Sequence, residues 1–199
     1  NTVLHLVGSS PVPAVRDEWK DLDAGALRKL RESVMREALA KKELPASAWG
    51  RIEKAIEIDA TLESLKAEGI EAIYHACDVG DREAVSALLN QIREKSGPIV
   101  GVIHGAGFEK ASRFSKKKPK LVRRTVRAKL DGAFNLMELT KSDALRNFVV
   151  FGSISGRFGA VGQTDYCMAN EGVAKLVRWY RQRRPEVASV VIAWHSWDD

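Results

Sequence analysis

Apolar positions along the first part of the chain form two short runs that enclose a long segment with helical spacing. The runs VLHLV at 3–7 and EAIYHAC at 71–77 have the length and composition of β-strands. Between them, a charged segment rich in alanine and leucine extends from about Asp17 to Lys66, and Pro45 interrupts it. This pattern predicts two amphipathic helices that break near Pro45.

The second part of the chain alternates more regularly between helical and strand patterns. Helical spacing occurs at about 81–95, 119–141 and 164–184, and apolar runs typical of buried strands occur at 98–107, 147–153 and 188–194. Nearly continuous apolar strands separated by helices are typical of a parallel sheet covered on both faces. The predicted fold class is therefore α/β, with a doubly wound parallel sheet of the Rossmann-like kind.

Composition narrows the class of protein further. The chain has 199 residues, of which 45% are hydrophobic and 29% are charged, as expected for a globular domain. No apolar run approaches the roughly 20 residues that span a bilayer, and residues 1–11 do not resemble a secretory signal. The two cysteines, Cys77 and Cys167, lack metal-ligand spacing. We therefore expect a reduced, cytoplasmic protein with neither a membrane partner nor a metal site.

Positive charge is concentrated in two runs. The chain carries a net charge of +6, with one basic run at 116–129 and another at 178–184. Such runs can face nucleic acid, phosphates or an acidic protein, or they can be solvated helix surfaces. The run at 116–129 has no interleaved aromatic residues on which bases could stack, which argues against a nucleic-acid-binding module.

Small or polar residues follow every predicted strand. They form the clusters Gly8–Ser9, Cys77–Val79, His104–Gly107, Gly152–Ser153 and Trp194–Trp197. In a doubly wound sheet, ligands bind beyond the carboxyl ends of the strands. The sequence therefore predicts a ligand site built from these clusters.

The segment 151–170 carries the most specific chemistry. Ser153 ends a predicted strand, and Tyr166 and Asn170 lie one turn apart on the next helix, where they share a face. Two hydroxyls can hold a carbonyl oxygen, and the alkoxide formed by hydride addition can take a proton from tyrosine. A lysine ammonium such as that of Lys129 stabilises a phenolate. Taken singly, the same residues could be a strand-end serine, a packing tyrosine and a surface lysine, and His104 could be a core histidine.

Residues 71–199 resemble the ketoreductase domains of polyketide synthases and polyunsaturated fatty acid synthases, which are short-chain dehydrogenases/reductases. The matching segments are CDVGD, GVIHGAG, KLDGAFNLMELT, the serine–tyrosine stretch and VIAWHSW. In that family the serine precedes the tyrosine by 13 positions, and here 166 − 153 = 13. Asn170 and the sequence around Lys129 also match the family pattern.

The resemblance implies a function and a set of site residues. Tyr166 is then the proton donor and Ser153 the second oxyanion donor, while Lys129 and Asn170 orient the tyrosine and a proton-relay water. The cofactor is NADPH, and the residues expected to bind it are Gly8, Ser9, Asp78, Val79, Gly105, Ala106, Gly107, Lys129, Tyr166, Trp194 and His195. The substrate is a β-ketoacyl thioester on an acyl carrier protein, and the other partners are further domains of the same synthase.

Two departures from the family pattern qualify these expectations. The family's first strand and its glycine-rich turn have no counterpart here, so residues 1–199 are expected to be a partial domain, with a helical insertion at 11–66 and the catalytic part at 71–199. Ser9 stands where the family commonly has an arginine for the NADPH 2′-phosphate, which leaves NADH as an alternative. A catalytically silent ketoreductase remnant is the alternative function.

Overall fold

The computed structural model describes residues 2–11 and 14–195 of the chain. These residues divide into two compact units, 1–76 and 77–199, and each is described by itself. The division leaves both predicted strands of the first part of the chain in one unit and the three later strands in the other.

The first unit is a two-stranded parallel sheet with two helices. Strand β1 (Leu4–Gly8) pairs with β2 (Ala72–Ala76). Helix α1 (Ala24–Ala40) packs on α2 (Pro45–Ala67), and α2 packs on β2. The Asp23 carboxylate caps α1 by accepting a 2.7 Å hydrogen bond from the Ala26 amide, and α2 starts at Pro45, whose ring suits a first helical position. The predicted break near Pro45 is therefore confirmed.

The second unit is a three-stranded parallel sheet with helices between its strands. The sheet order is β3 (Gly101–His104), β4 (Asn147–Ser153) and β5 (Ala188–Trp194). The helices are α3 (Arg82–Ser96), α4 (Pro119–Val126), α5 (Gly132–Leu139), the short α6 (Ser155–Phe158) and α7 (Thr164–Arg183). Parallel strands joined by helices confirm the predicted α/β class.

Alternation along β4 explains where the core of this unit lies. Phe148 and Val150 are fully buried, whereas Val149 and Phe151 are half-buried. This is expected when successive side chains point to opposite faces of a sheet. The buried face packs against α5 and α7, where Met137 and Val173 belong to the same apolar cluster. On the opposite face, Ile103 of β3 is 70% exposed.

None of the helices within residues 2–11 and 14–195 is long and apolar enough to span a membrane.

The long helix predicted at 119–141 is interrupted by a π-helical turn. The structure has α4, then a π-helical segment at Arg127–Asp131, and then α5. The Lys129 carbonyl in this segment lies 3.0 Å from His104 Nε2, and His104 is 2% exposed. The His104 imidazole thus satisfies a carbonyl of the irregular turn. The prediction that His104 is a hydrogen-bonded core residue is confirmed.

Candidate active site

The carboxyl ends of β3, β4 and β5 open onto one cavity of about 570 Å³. Three of the four predicted catalytic residues, Lys129, Ser153 and Tyr166, line this cavity. They come from the π-helical segment, the last position of β4 and the first turn of α7. The fold thus brings together side chains from three separate parts of the sequence.

Ser153 is fixed by the chain that turns away from β4. Its Oγ accepts a 3.1 Å hydrogen bond from the Ser155 amide. The amide of Ile154, which lies between these two serines, donates a 3.0 Å hydrogen bond to the Trp194 carbonyl. A serine hydroxyl that accepts one hydrogen bond keeps its own hydrogen for donation. The Ser153 oxygen therefore binds the first amide of α6, and the Ser153 hydroxyl is an available donor at the cavity wall.

Lys129 is a buried amine that contacts backbone. Its side chain is 5% exposed, and its Nζ donates a 2.9 Å hydrogen bond to the Phe151 carbonyl on β4. Burial lowers the pKa of the Lys129 ammonium from its ordinary value of 10.5 to about 8. At pH 7 the group is thus mainly charged, and it has two further N–H donors besides the one directed at Phe151.

Asn170 is buried one turn after Tyr166. Its Nδ2 donates a 2.9 Å hydrogen bond to the backbone carbonyl of Tyr166. Its Oδ1 is buried and makes no hydrogen bond to the residues that the structure describes. Within that part of the chain, the cavity lining does not include Asn170. The structure therefore shows the Asn170 side chain bound to the backbone carbonyl of Tyr166. The predicted role of Asn170 in orienting a relay water stays a prediction.

Besides Lys129 and Tyr166, four of the residues predicted to bind the cofactor line the same cavity. They are Gly105, Gly107, Trp194 and His195. A Cβ atom added to Gly107 would lie 3.3 Å from Nζ of Lys129, and one added to Gly105 would lie 3.2 Å from the Phe151 ring. The chain after β3 therefore passes so close to the site that a side chain there would narrow it. Ala106 is half-buried and is not part of the lining.

The predicted adenine-binding residues lie outside the cavity lining. Asp78 is exposed, with its Oδ1 accepting a 2.9 Å hydrogen bond from the Gly80 amide and its Oδ2 3.4 Å from Nη2 of Arg127. The Val79 carbonyl accepts a 3.0 Å hydrogen bond from the buried Asn135 amide. Their predicted role in adenine binding stays a prediction.

The two predicted cofactor residues in the first unit lie at the end of β1. The Tyr74 hydroxyl crosses Gly8 to donate a 2.8 Å hydrogen bond to the Ser10 carbonyl, and a Cβ atom on Gly8 would collide with it. Ser9 follows as an exposed residue. The predicted backbone ledge from Trp194 to Trp197 is described only as far as His195, and Trp197 lies outside the described residues.

Five cavity residues were not anticipated from the sequence. They are Phe108, Glu109, Phe151, Ser155 and Gln163. Gln163 Nε2 donates a 3.3 Å hydrogen bond to Glu109 Oε1. Phe151 lies two positions before Ser153 on β4, so strand alternation alone puts both on one face. No comparable signal in the sequence pairs Glu109 with Gln163, because this contact joins two loops.

The structure separates the residues of the basic run at 116–129 into two groups. The Lys117 side chain is 8% exposed and ion-paired to Asp165. The Arg124 guanidinium lies 4.0 Å from the centre of the Phe108 ring. Arg124 is nevertheless exposed, as are Lys118 and Arg123. The run is therefore not one uniform solvated surface.

Comparisons with known proteins agree with the geometry. The family model described as "KR domain" matches residues 24–199. Polyketide synthase PksL of Bacillus subtilis is 34% identical over 143 residues, which cover 69% of this chain and 3% of that protein. A polyunsaturated fatty acid synthase from Thraustochytrium is 28% identical over 181 residues, which cover 86% of this chain and 6% of that protein.

A solved structure supports the same assignment. The ketoreductase from the first module of phoslactomycin biosynthesis in Streptomyces has a TM-score of 0.65 and 34% identity, and the match covers 73% of this chain and 32% of that one. This chain thus spans a small part of the curated relatives and about a third of the solved structure. The family model matches more than half of the chain, and the cavity carries the expected serine, tyrosine and lysine. The chain belongs to the KR family, the ketoreductase domains with the short-chain dehydrogenase/reductase fold.

Proposed function

We propose that this chain, within a larger synthase, reduces a β-ketoacyl thioester on an acyl carrier protein to the β-hydroxyacyl thioester, with NADPH as the reductant. The observation that carries the proposal is that Lys129, Ser153 and Tyr166 line one cavity at the carboxyl ends of three parallel strands. Ligands of open α/β sheets bind at such edges. A catalytically silent remnant would have no need to keep these three groups on one cavity wall.

The glycines at the cavity fit a bound dinucleotide. Gly107 lets the backbone approach the Lys129 ammonium without a side chain between them. Gly105, Trp194 and His195 extend the same wall. In the proposed function, Gly105 and Gly107 pass close to the adenosine ribose and the phosphates of the cofactor. Trp194 and His195 lie beside the nicotinamide, and Asp78 and Val79 hold the adenine. When bound, NADPH supplies a hydride to the carbonyl carbon of the substrate.

The proposed chemistry of the protein concerns the substrate oxygen. As the carbonyl carbon gains a hydride, its oxygen becomes an alkoxide, and the Tyr166 hydroxyl transfers its proton to that oxygen. Ser153 donates a second hydrogen bond to the oxygen, and its own oxygen already accepts from the Ser155 amide. The proton and the hydride together convert the C=O group to CH–OH.

Lys129 and Asn170 act on the tyrosine in this proposal. The Lys129 ammonium stabilises the phenolate left after proton transfer, since opposite charges favour the ionised form. Asn170 holds the Tyr166 backbone through its 2.9 Å hydrogen bond. Its buried Oδ1 has acceptor capacity for a water that would return a proton to the tyrosine.

The carrier protein is proposed to dock on the exposed part of the basic run. Lys118 and Arg123 are exposed on and beside α4, and α4 leads into the segment that contains Lys129. Acyl carrier proteins are typically acidic, and complementary charge increases the rate of association. Lys117 is not part of this surface, because its side chain is 8% exposed and ion-paired to Asp165.

Tyr166→Phe in the full-length protein tests the proposed function. General acid catalysis contributes about 10²–10⁴-fold, so we expect kcat for ketone reduction to fall by at least about 100-fold. Binding of NADPH, measured by fluorescence titration, should stay within about twofold of wild type, because the ring is retained. A variant that kept wild-type turnover would exclude Tyr166 as the proton donor.

A further inference from the structure

A buried ion pair lies directly beside the proposed proton donor. The Lys117 Nζ is 2.5 Å from Oδ1 of Asp165, the residue that precedes Tyr166, and the two side chains are 8% and 6% exposed. In every other ion pair of the described residues, at least one partner is 27% exposed or more. An ion pair this well buried is costly to desolvate, so its position needs an explanation.

The Asp165 carboxylate joins three parts of the second unit. It accepts a 3.3 Å hydrogen bond from Thr125 Oγ1 on α4, and the Lys117 ammonium comes from the segment before α4. Burial by itself raises the pKa of the Asp165 carboxyl. The hydrogen bonds from Lys117 and from the backbone amides of Asp165 and Tyr166 outweigh that effect, so the pKa lies below its ordinary value. The carboxylate is thus held ionised at the start of α7.

Two further contacts tie the same loops together. The Ser112 amide donates a 2.9 Å hydrogen bond to the Gly162 carbonyl, and Gln163 Nε2 donates to Glu109 Oε1. Gly162 has a φ of +75°, and a Cβ atom there would lie 3.3 Å from the Ser112 nitrogen. The segment 109–117 is therefore fastened to the segment 162–165 at three points, and the ion pair is the most buried of them.

The geometry points to Lys117 and Asp165 as positioning residues for the reduction proposed above, on which this inference rests. The pair holds the first turn of α7, which carries Tyr166, against α4, which leads into the segment of Lys129. Gln163 at the start of α7 provides no side-chain cap, so this turn depends on contacts such as Asp165 makes. Neither Lys117 nor Asp165 lines the cavity. The pair affects reduction indirectly, because it holds Tyr166 and the segment 109–117 in place.

A set of four variants in the full-length protein tests the inference. Lys117→Met and Asp165→Asn each break the pair, the double variant removes both charges, and Lys117→Arg keeps it. Lys175→Met is the matched control, because this lysine is on α7 itself and its side chain is 76% exposed. The assays are steady-state reduction of a small free ketone and hydrogen exchange of backbone amides, followed by mass spectrometry.

We expect Lys117→Met and Asp165→Asn to lower kcat at least about tenfold, since a small misplacement of reacting groups can cost up to about 100-fold. The KM for NADPH should stay within about threefold, and Lys117→Arg should recover most of the kcat. The double variant should regain thermal stability, because no buried charge is left unpaired, while its kcat stays low. Lys175→Met should behave as wild type.

The exchange measurement separates this inference from the proposed function. Loss of the pair should accelerate exchange in segments 108–117 and 164–168 at least about tenfold and leave β4 unchanged, whether or not the protein reduces ketones. Unchanged exchange in both segments would overturn the positioning role. So would a double variant with wild-type kcat, or an equal loss of kcat in Lys175→Met. Loss of activity in Tyr166→Phe is independent of all these outcomes.

Discussion

Replacing Lys129 by methionine is expected to stabilise the second unit at pH 7 while abolishing reduction. Burial lowers the pKa of the Lys129 ammonium to about 8, and one pH unit corresponds to about 1.4 kcal/mol. The charge therefore costs about 3 kcal/mol of folding free energy at pH 7. Losing the hydrogen bond to the Phe151 carbonyl costs about 1–3 kcal/mol in return. We expect a net gain of about 1 kcal/mol in the free energy of unfolding.

The pH dependence of stability is a sharper test than its value at one pH. Because the pKa of Lys129 is lower in the folded state, the unfolded state binds more protons between about pH 8 and pH 10.5. Stability therefore rises with pH through this window, and the cost of the buried charge is fully present below pH 8. Between pH 7 and pH 9, wild type should gain about 1 kcal/mol from this residue, and Lys129→Met should lack that gain.

Native-state hydrogen exchange in the full-length protein measures these free energies locally. The reporters are the amides of β4, whose side chains Phe148 and Val150 form the core of the unit. Lys141→Met is the control, because its amine is 70% exposed and paired only with Glu138 at the surface. A change at such a position is expected to stay within about 0.5 kcal/mol at both pH values.

The activity of the same variant completes the test. In the proposed function, the Lys129 ammonium stabilises the Tyr166 phenolate after proton transfer, so kcat should fall by at least about 100-fold without it. The reasoning would be refuted if Lys129→Met lost more than about 1 kcal/mol at pH 7 and kept the wild-type rise in stability toward pH 9. Such a result would mean that Lys129 is a structural cation whose charge the fold requires.

Two further predictions concern the cofactor and the carrier. Ser9→Arg should lower the KM for NADPH more than the KM for NADH, because a guanidinium can bind the 2′-phosphate through two hydrogen bonds. Equal changes in the two KM values would mean that other residues bind this phosphate. Reversing the exposed Lys118 and Arg123 to glutamate should slow reduction of carrier-bound substrate at low salt and leave a free decalone unaffected. The same reversal at exposed Arg178 and Arg181 is the control, and equal slowing by both reversals would exclude a specific docking surface.

The elements that follow a regular period were predicted well from the sequence. Strands β4 and β5 begin and end at the predicted residues, because each is a continuous apolar run between polar residues. Strand β3 is shorter than its predicted run 98–107 and covers only Gly101–His104. The glycines after it belong to the cavity wall, where a loop and not a strand is needed. Apolar composition alone cannot distinguish these two uses of small residues.

The π-helical turn at Lys129 could not be predicted from periodicity. Apolar spacing continues through 119–141, so the sequence indicates a single helix. The turn is accompanied by the hydrogen bond between His104 and the Lys129 carbonyl, which joins two elements. Gly132 also permits it, since a Cβ atom there would lie 3.0 Å from the His104 ring. Burial lowers the pKa of His104 to about 4, so the ring is neutral at pH 7 and can donate to a carbonyl.

The side-chain partners of the proposed catalytic residues were the least predictable feature. Tyr166 and Asn170 share a helix face, as the spacing indicates, yet the Asn170 amide binds the carbonyl four residues earlier. Asparagine on a helix commonly has this local alternative. Likewise, nothing in the run Lys116 to Lys118 indicates that the central lysine is buried, because its partner Asp165 is distant in sequence.

Lys117 and Lys129 of this unit both have buried side chains, but only one of them is paired with a carboxylate. Lys117 is paired with a carboxylate, which offsets the cost of its burial. Lys129 donates to a carbonyl, and burial alone accounts for its lowered pKa, with no contribution from a carboxylate among the described residues. A fold selected for stability alone would pair this ammonium or replace it with an apolar residue. In the proposed function, negative charge develops on Tyr166 when it gives up its proton, and a charged, unpaired ammonium in the same cavity stabilises that charge.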